Sequence, residues 1–172
     1  YRYSQNGFGF FVADSRTDRS ARSINTITQA TLFSQKQHSD LEAWLLDQAA
    51  DDDAARPKFI ITPAMLLPRY KRSFQNNHLS SALHSDAWDG YPASLERILA
   101  FISENNIKNV VFLSGNAHLS CFSEVQLSLN SPDNDAGSKE PLLAWSIHSS
   151  GLYAPLPFAN ASEADLARDE SF

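Results

Sequence analysis

The chain has 172 residues, a formal net charge of -6 and an isoelectric point near 5.2, which argues against a broad nucleic-acid surface. A composition of 42% hydrophobic and 20% charged residues suits one globular domain with its own core. No apolar run approaches the roughly 18 residues needed to span a bilayer, and the single cysteine, Cys121, excludes an internal disulfide. Neither nucleic acid nor membrane is therefore expected as a partner.

The chain opens at Tyr1 without a methionine and runs almost at once into an apolar stretch. That opening predicts a longer protein, with an upstream part and any targeting signal beyond this segment. Phe8 to Ala13 is short, aromatic and nearly continuous in hydrophobicity, the pattern of a buried strand ending at the polar Asp14-Ser15-Arg16 turn. Residues 15–30 are rich in Ser, Thr and Arg and read as loop. Ser39 and Glu42 stand three apart like a capping box, and Leu41, Trp44 and Leu45 supply one apolar helical face. The helix should end by Asp51-Asp52-Asp53, where acid opposes the helix dipole. Lys58 to Thr62 predicts a strand stopped by Pro63.

Residues 63–92 form a long connection with Pro63, Pro68, Pro92, Asn76-Asn77 and Gly90. Irregular connections of this length often act as lids or binding loops. The basic cluster of Arg69, Lys71 and Arg72 lies here and reads first as a solvated loop. Leu95, Ile98, Leu99 and Ile102 recur at helical spacing, and Asn105-Asn106 can end that helix. Val110 to Leu113 predicts a buried strand leaving through Ser114-Gly115. Val125, Leu127 and Leu129 alternate with polar residues from Ser123, as in a half-buried strand. Residues 130–140 are polar loop, and Leu142 to Ile147 is a further strand. Residues 161–172 are expected to form a peripheral tail, with a short helix near 162–168. The order β-α-β-loop-α-β-β-β predicts a layered α/β domain with a mixed sheet.

The strongest chemical signal is the turn Ser114-Gly115-Asn116-Ala117-His118-Leu119-Ser120 behind a buried strand. Open α/β sheets place ligands at the C-terminal strand edge. Glycine lets a backbone turn tightly, an Asn amide oxygen can ligate a metal, and neutral His offers a ring nitrogen. On spacing alone, a turn with a capping Asn and a surface His is the weightier reading. His148 and Ser149 are adjacent, so on a strand they face opposite ways and make no nucleophile relay. No Gly-x-Ser-x-Gly elbow or phosphate-cradling Gly-x-x-x-x-Gly-Lys loop is present. Cys121 reads as a small buried hydrophobe.

The turn resembles the Ser-Gly-Asp-x-His-Leu-Ser motif of the alkaline phosphatase D (PhoD-like) metallophosphatases. Other stretches agree in order: Phe10 to Arg16 with Arg19 after it, Gln35 to Leu45, Lys58 to Pro63, Asp86-Ala87-Trp88-Asp89-Gly90-Tyr91-Pro92 with Glu96-Arg97, and Ser149 to Phe158. The similarity covers most of residues 8–160, which it identifies as the C-terminal part of such a domain, half of an αββα sandwich. It implies hydrolysis of a phosphate monoester or diester at two metal ions, of iron, calcium, zinc or manganese, with Asn116 and His118 at the metal site. Arg16 and Arg19 would grip the phosphate, although pairing with Asp14 or Asp18 fits them equally. Asp86 or His84 would orient a ligand or protonate the leaving group. Asp89 reads first as a turn residue, and Trp88 and Tyr91 suit either a substrate wall or the core.

Two departures matter. The motif's Asp is Asn116 here, which removes one negative charge and should weaken a trivalent ion without abolishing ligation. The family's other ligands lie upstream, so the isolated chain is expected to be inactive, and its exposed core to favour self-association. The alternative is a metallophosphatase-fold domain that has lost catalysis and serves as a binding or structural module.

Overall fold

The computed structural model describes residues 1–50, 55–69, 82–127, 142–149 and 163–166. Its centre is a six-stranded mixed sheet of order β1-β2-β3-β4-β6-β5, built from β1 (Arg2–Gln5), β2 (Phe8–Val12), β3 (Lys58–Thr62), β4 (Val110–Ser114), β5 (Ser120–Leu127) and β6 (Leu142–Ser149). Strands β2, β3, β4 and β6 run parallel, while β1 and β5 are antiparallel borders. Helix α1 (Gln35–Ala49) joins β2 to β3 and helix α2 (Pro92–Glu104) lies between β3 and β4. Both crossovers advance in the same direction across the sheet, so right-handed connections bring both helices to one face.

The register explains which side chains make the core. Phe11, Ile60, Phe112 and Ser146 stand in one row, and all four are buried. Leu41, Trp44 and Leu45 of α1 and Leu95, Ile98, Leu99 and Ile102 of α2 close over that row. Each such apolar side chain contributes about 1.5–3 kcal/mol on burial. The opposite face carries Tyr3, Phe10 and Phe59, with Phe10 stacked on both others at 4.8 and 5.0 Å. The paired Phe122 and Ile147 on that face are 64% and 36% exposed. No helix among the described residues is long and apolar enough to cross a membrane.

Two local features differ from the sequence reading. Strand β1 was not expected; Asn6 and Gly7, both at positive φ, make the two-residue turn that folds it onto β2. Helix α1 starts four residues earlier than the expected cap. Ser34 is the N-cap and its hydroxyl accepts from the Gln37 amide at 3.3 Å, so Ser39 and Glu42 lie inside the helix. Near the end of the chain, where a short helix was expected, Glu163–Asp165 form a 3-10 turn, and Leu166 is 4% exposed against Met65 and Ala87. The expected end of α2 is present. Asn106 takes a left-handed φ of 50°, and the Ile107 amide reaches back to the Ile102 carbonyl at 2.9 Å. The expectations for Asp51–Asp53, Asn76, Asn77, Lys71, Arg72, Leu129 and residues 130–140, 150–158, 161–162 and 167–172 fall outside the described residues.

Among the described residues, the long connection between β3 and α2 is tied down by Ser146 and by Arg22, among other contacts. The Leu67 amide donates to Ser146 Oγ at 3.2 Å, and that hydroxyl donates to the Leu67 carbonyl at 2.8 Å. Farther along, Arg22 Nη1 donates to the carbonyls of Ala82, Ser85 and Gly90 at 3.2, 2.9 and 2.8 Å. The Arg22 guanidinium also lies 4.3 Å from the Tyr91 ring centre. Gly90 permits this approach, because a Cβ there would sit 2.5 Å from the Ser85 carbonyl oxygen and 2.2 Å from Arg22 Nη1. Gly90→Ala is therefore expected to lower stability by about 1–3 kcal/mol, through displaced carbonyl partners. Urea unfolding followed by circular dichroism checks this.

A buried polar junction holds the two helices together. Ser94 Oγ accepts from the Leu32 amide at 2.8 Å and lies within hydrogen-bond distance of His38 Nε2, at 3.0 Å. Burial, with Arg97 nearby and only partly opposed by Glu42, holds His38 well below its ordinary 6.5, at about 4. The unfolded chain therefore binds this proton between pH 6.5 and 4 while the folded chain does not. Stability is full above about 6.5 and falls as pH drops toward 4. Burial lowers His148 as well, and it acts in the same direction. The thermal midpoint should fall across this window, and less steeply in His38→Gln, whose amide can still meet Ser94. Midpoints measured from pH 7.5 to 4 give the comparison.

Candidate metal and phosphate site

Parallel pairing of β2, β3, β4 and β6 brings their C-terminal ends to one edge. The segments Asp14–Arg19, Pro63 onward, Gly115–Leu119 and Ser149 all leave from it. The β2 and β4 exits are two strand spacings apart, roughly 10 Å.

The β4 exit makes the turn that the motif suggested, but by different means. Asn116 has φ 87° and His118 φ 53°, both in the left-handed region, whereas Gly115 is not at positive φ. A left-handed residue other than glycine costs of order 1–3 kcal/mol and persists only where the surroundings enforce it. Asn tolerates this conformation better than most residues. Asn116 is exposed at the rim, and His118 is half-buried with its Nδ1 shielded and without a hydrogen-bond partner. A buried nitrogen without a partner is costly, so the site suits an ion or a donor that completes it. Among the described residues no three His, Cys, Asp or Glu side chains come together. Asn116 and His118 therefore stand outside any such cluster among the described residues.

Beneath the turn lies His148, which the sequence reading set aside. It is 1% exposed. Its Nε2 accepts from the Ala117 amide at 3.3 Å and its Nδ1 lies 2.9 Å from Ser114 Oγ. Ser149 is exposed on the other side of the strand, as the alternation of side chains requires.

At the β2 exit, Asp14 caps its own turn. Its carboxylate accepts from the Arg16 amide at 2.8 Å, the Thr17 amide at 3.0 Å and the Thr17 hydroxyl at 2.5 Å. These bonds, the hydroxyl first, lower its pKa to about 2. Gln37 of α1 clasps the same residue through both backbone groups, at 2.7 and 2.8 Å. With Asp14 so engaged, Arg16 and Arg19 both turn to Asp86 and each donates to a different carboxylate oxygen. The expected pairing with Asp14 or Asp18 is replaced by this one. Arg19 is braced through Nε and Nη2 on the Ser15 carbonyl, with Nε at 2.7 Å, and its guanidinium lies 5.3 Å from the Tyr91 ring centre. Ser15 Oγ is buried without a partner close by.

Burial raises the Asp86 pKa, yet the two arginines outweigh it and hold the carboxyl below its usual range. An ionised Asp86 suits the orientation of two guanidiniums and does not suit proton donation. His84 is exposed two residues away and takes no part in this arginine–carboxylate group. Asp89 is buried in the short 3-10 turn Trp88–Gly90 and accepts from Ser85 Oγ. Trp88 is fully buried, edge-on to Phe33 and Phe112, and Tyr91 is 2% exposed. Both aromatics belong to the core and form no substrate wall. Cys121 is half-buried and burial pushes its thiol up, so it stays protonated at neutral pH.

Alkaline phosphatase D of Bacillus subtilis (strain 168) is 48% identical over 42 residues, 24% of this chain and 7% of that protein. A solved structure titled "Structure of PhoD" superposes with a TM-score of 0.64 at 21% identity, covering 88% of this chain and 28% of that one. The chain thus spans under a third of the length of these relatives. The family model for PhoD-like phosphatase matches residues 1–171, and the chain belongs to that family.

Proposed function

We propose that this chain carries part of the active site of a metal-dependent phosphoesterase, whose remaining ligands come from outside this segment. The observation that carries the reading is the strained Asn116–His118 turn at the C-terminal sheet edge, with a shielded imidazole nitrogen left without a partner. Two bound ions would supply Lewis acidity toward the phosphoryl oxygens and an activated water.

This chain's own residues do the rest of what is proposed. Asn116 offers an amide oxygen and His118 a neutral ring nitrogen. Arg16 and Arg19 present two guanidiniums converging on one carboxylate, the arrangement that also receives a phosphate's oxygens. A phosphate ester would share or displace Asp86 between them. Asp86 then acts as the group that keeps both arginines aimed before substrate arrives. No role for His84 follows from its position.

Asn116 favours a second reading, a family member that has lost catalysis, because the amide contributes no charge to the ions. Activity decides between them, measured on the natural protein that contains this chain. With Mn²⁺ and aryl phosphate mono- and diesters, the enzyme reading expects metal-dependent turnover that His118→Ala lowers by more than about 100-fold. Asn116→Asp should tighten binding of Fe³⁺ more than that of Mn²⁺, because the restored charge acts most on the higher-valent ion. Absence of both turnover and bound metal in the parent protein and in Asn116→Asp would leave only the second reading.

The arginine pair makes a separate expectation. Arg19→Ala should raise KM for the phosphate ester by about 10- to 100-fold, the loss of one charge-assisted pair. Asp86→Asn should raise it by less, since the guanidiniums remain but lose their brace. Steady-state kinetics that show Asp86→Asn acting on kcat alone, with an altered alkaline limb, would instead return Asp86 to a proton-transfer role.

A further inference from the structure

We propose that His148 is the positioning residue of the metal-ligand turn, its neutral imidazole holding the Ala117 amide so that Asn116 and His118 keep their spacing. This rests on the reading of Asn116 and His118 as metal donors. The Ala117 N–H donates to His148 Nε2 at 3.3 Å, so Nε2 is the unprotonated nitrogen. In a neutral ring the proton is then on Nδ1, which donates to Ser114 Oγ at 2.9 Å. One buried ring therefore grips the turn at two points: Ser114, where β4 stops, and Ala117, between the two donors.

The sheet register makes this possible. Ser114 and His148 are direct partners in the parallel pairing of β4 with β6. Their side chains share a face, while Ile147 and Ser149 point away and are exposed. The grip answers a specific need. Two left-handed residues flank Ala117, and such strain relaxes unless a neighbour enforces it. A buried imidazole with one acceptor and one donor, each matched, does so at fixed distance. Loss of the ring frees the turn, and the two donors lose their preset geometry. Residues that orient ligands in this indirect way typically change metal affinity by about 10- to 100-fold.

The test uses the natural protein that contains this chain, metal-free and then titrated with Mn²⁺ alone by calorimetry. Long-range proton–nitrogen NMR spectra of the metal-free protein should give His148 as the Nδ1–H tautomer. His148→Phe should weaken Mn²⁺ binding by about 10- to 100-fold with an unchanged circular dichroism spectrum. His148→Gln, whose side-chain oxygen can still accept from Ala117, should stay close to the parent. A folded His148→Phe that binds Mn²⁺ like the parent overturns the proposal. So does an Nε2–H tautomer, or a glutamine variant as weak as phenylalanine. Should His148→Phe fail to fold, the glutamine variant and the tautomer still decide. A parent protein that binds no Mn²⁺ overturns the metal reading itself, whatever the tautomer.

Discussion

The parallel alignment of β2, β3, β4 and β6 is the constraint on which the rest depends. It sends four chain exits to one edge of the sheet and four entries to the other. Residues more than a hundred positions apart, from Asp14 to Ser149, therefore meet at a common rim. The helices pay for this arrangement by covering one sheet face, where Phe11, Ile60 and Phe112 lie beneath Leu41, Leu45 and Ile98. The border strands β1 and β5 run the other way, and β5 starts at the rim, where Ser120 pairs with Ser149. They widen the sheet and cover the outer strands' backbone.

On this rim, order comes from polar groups that each satisfy two demands. Gln37 belongs to the first turn of α1 and clamps both backbone groups of Asp14, so helix and strand exit are fixed together. Asp14 is thereby committed to its own turn, and although Arg19 still acts on it through space, both arginines make their ion pairs elsewhere. They make them with Asp86, some 70 positions on. Arg22 does for the connection what Gln37 does for the helix, gathering three carbonyls into one guanidinium. Exposed ion pairs alone add little stability. Here their effect is on geometry: the Asp86 segment is delivered to the arginines by a backbone already tied to Arg22 and Tyr91.

Much of this was legible in the sequence, and what was not has identifiable causes. Strand β3 lies where its β-branched run placed it, and α2 where its apolar spacing did, because burial on one face leaves a periodic trace. Helix α1 was misplaced at its start because Ser39-x-x-Glu42 and Ser34-x-x-Gln37 both fit a capping box, and only packing chooses between them. Strand β1 was missed because its residues are mostly exposed, although the Asn6-Gly7 pair was a usable hairpin signal. For the site, the local turn was visible as a motif, but the partners of Arg16 and Arg19 were not. Their nearest acids in sequence are Asp14 and Asp18, and no one-dimensional pattern announces that Asp14 is already occupied. His148 was passed over for a similar reason. Its neighbour Ser149 suggested a nucleophile, whereas its true partners, Ser114 and Ala117, are set by strand pairing.

Asparagine stands at position 116, where the motif that the turn resembles carries aspartate. The position requires a left-handed backbone with φ 87°, and Asn and Asp are the residues other than glycine that accept it at least cost. The two side chains have the same shape and both offer an oxygen. The turn, the His148 grip and the aim of His118 are therefore compatible with either residue. What changes is a single charge at the rim, a few strand widths from two guanidiniums whose own counter-charge is one exposed carboxylate. In the site proposed above, with cations and a phosphate held together, that charge would act on the metals directly and on the phosphate through them. Under that proposal its effect would be electrostatic and would leave the backbone untouched, so kinship of fold would persist while metal preference and turnover diverge.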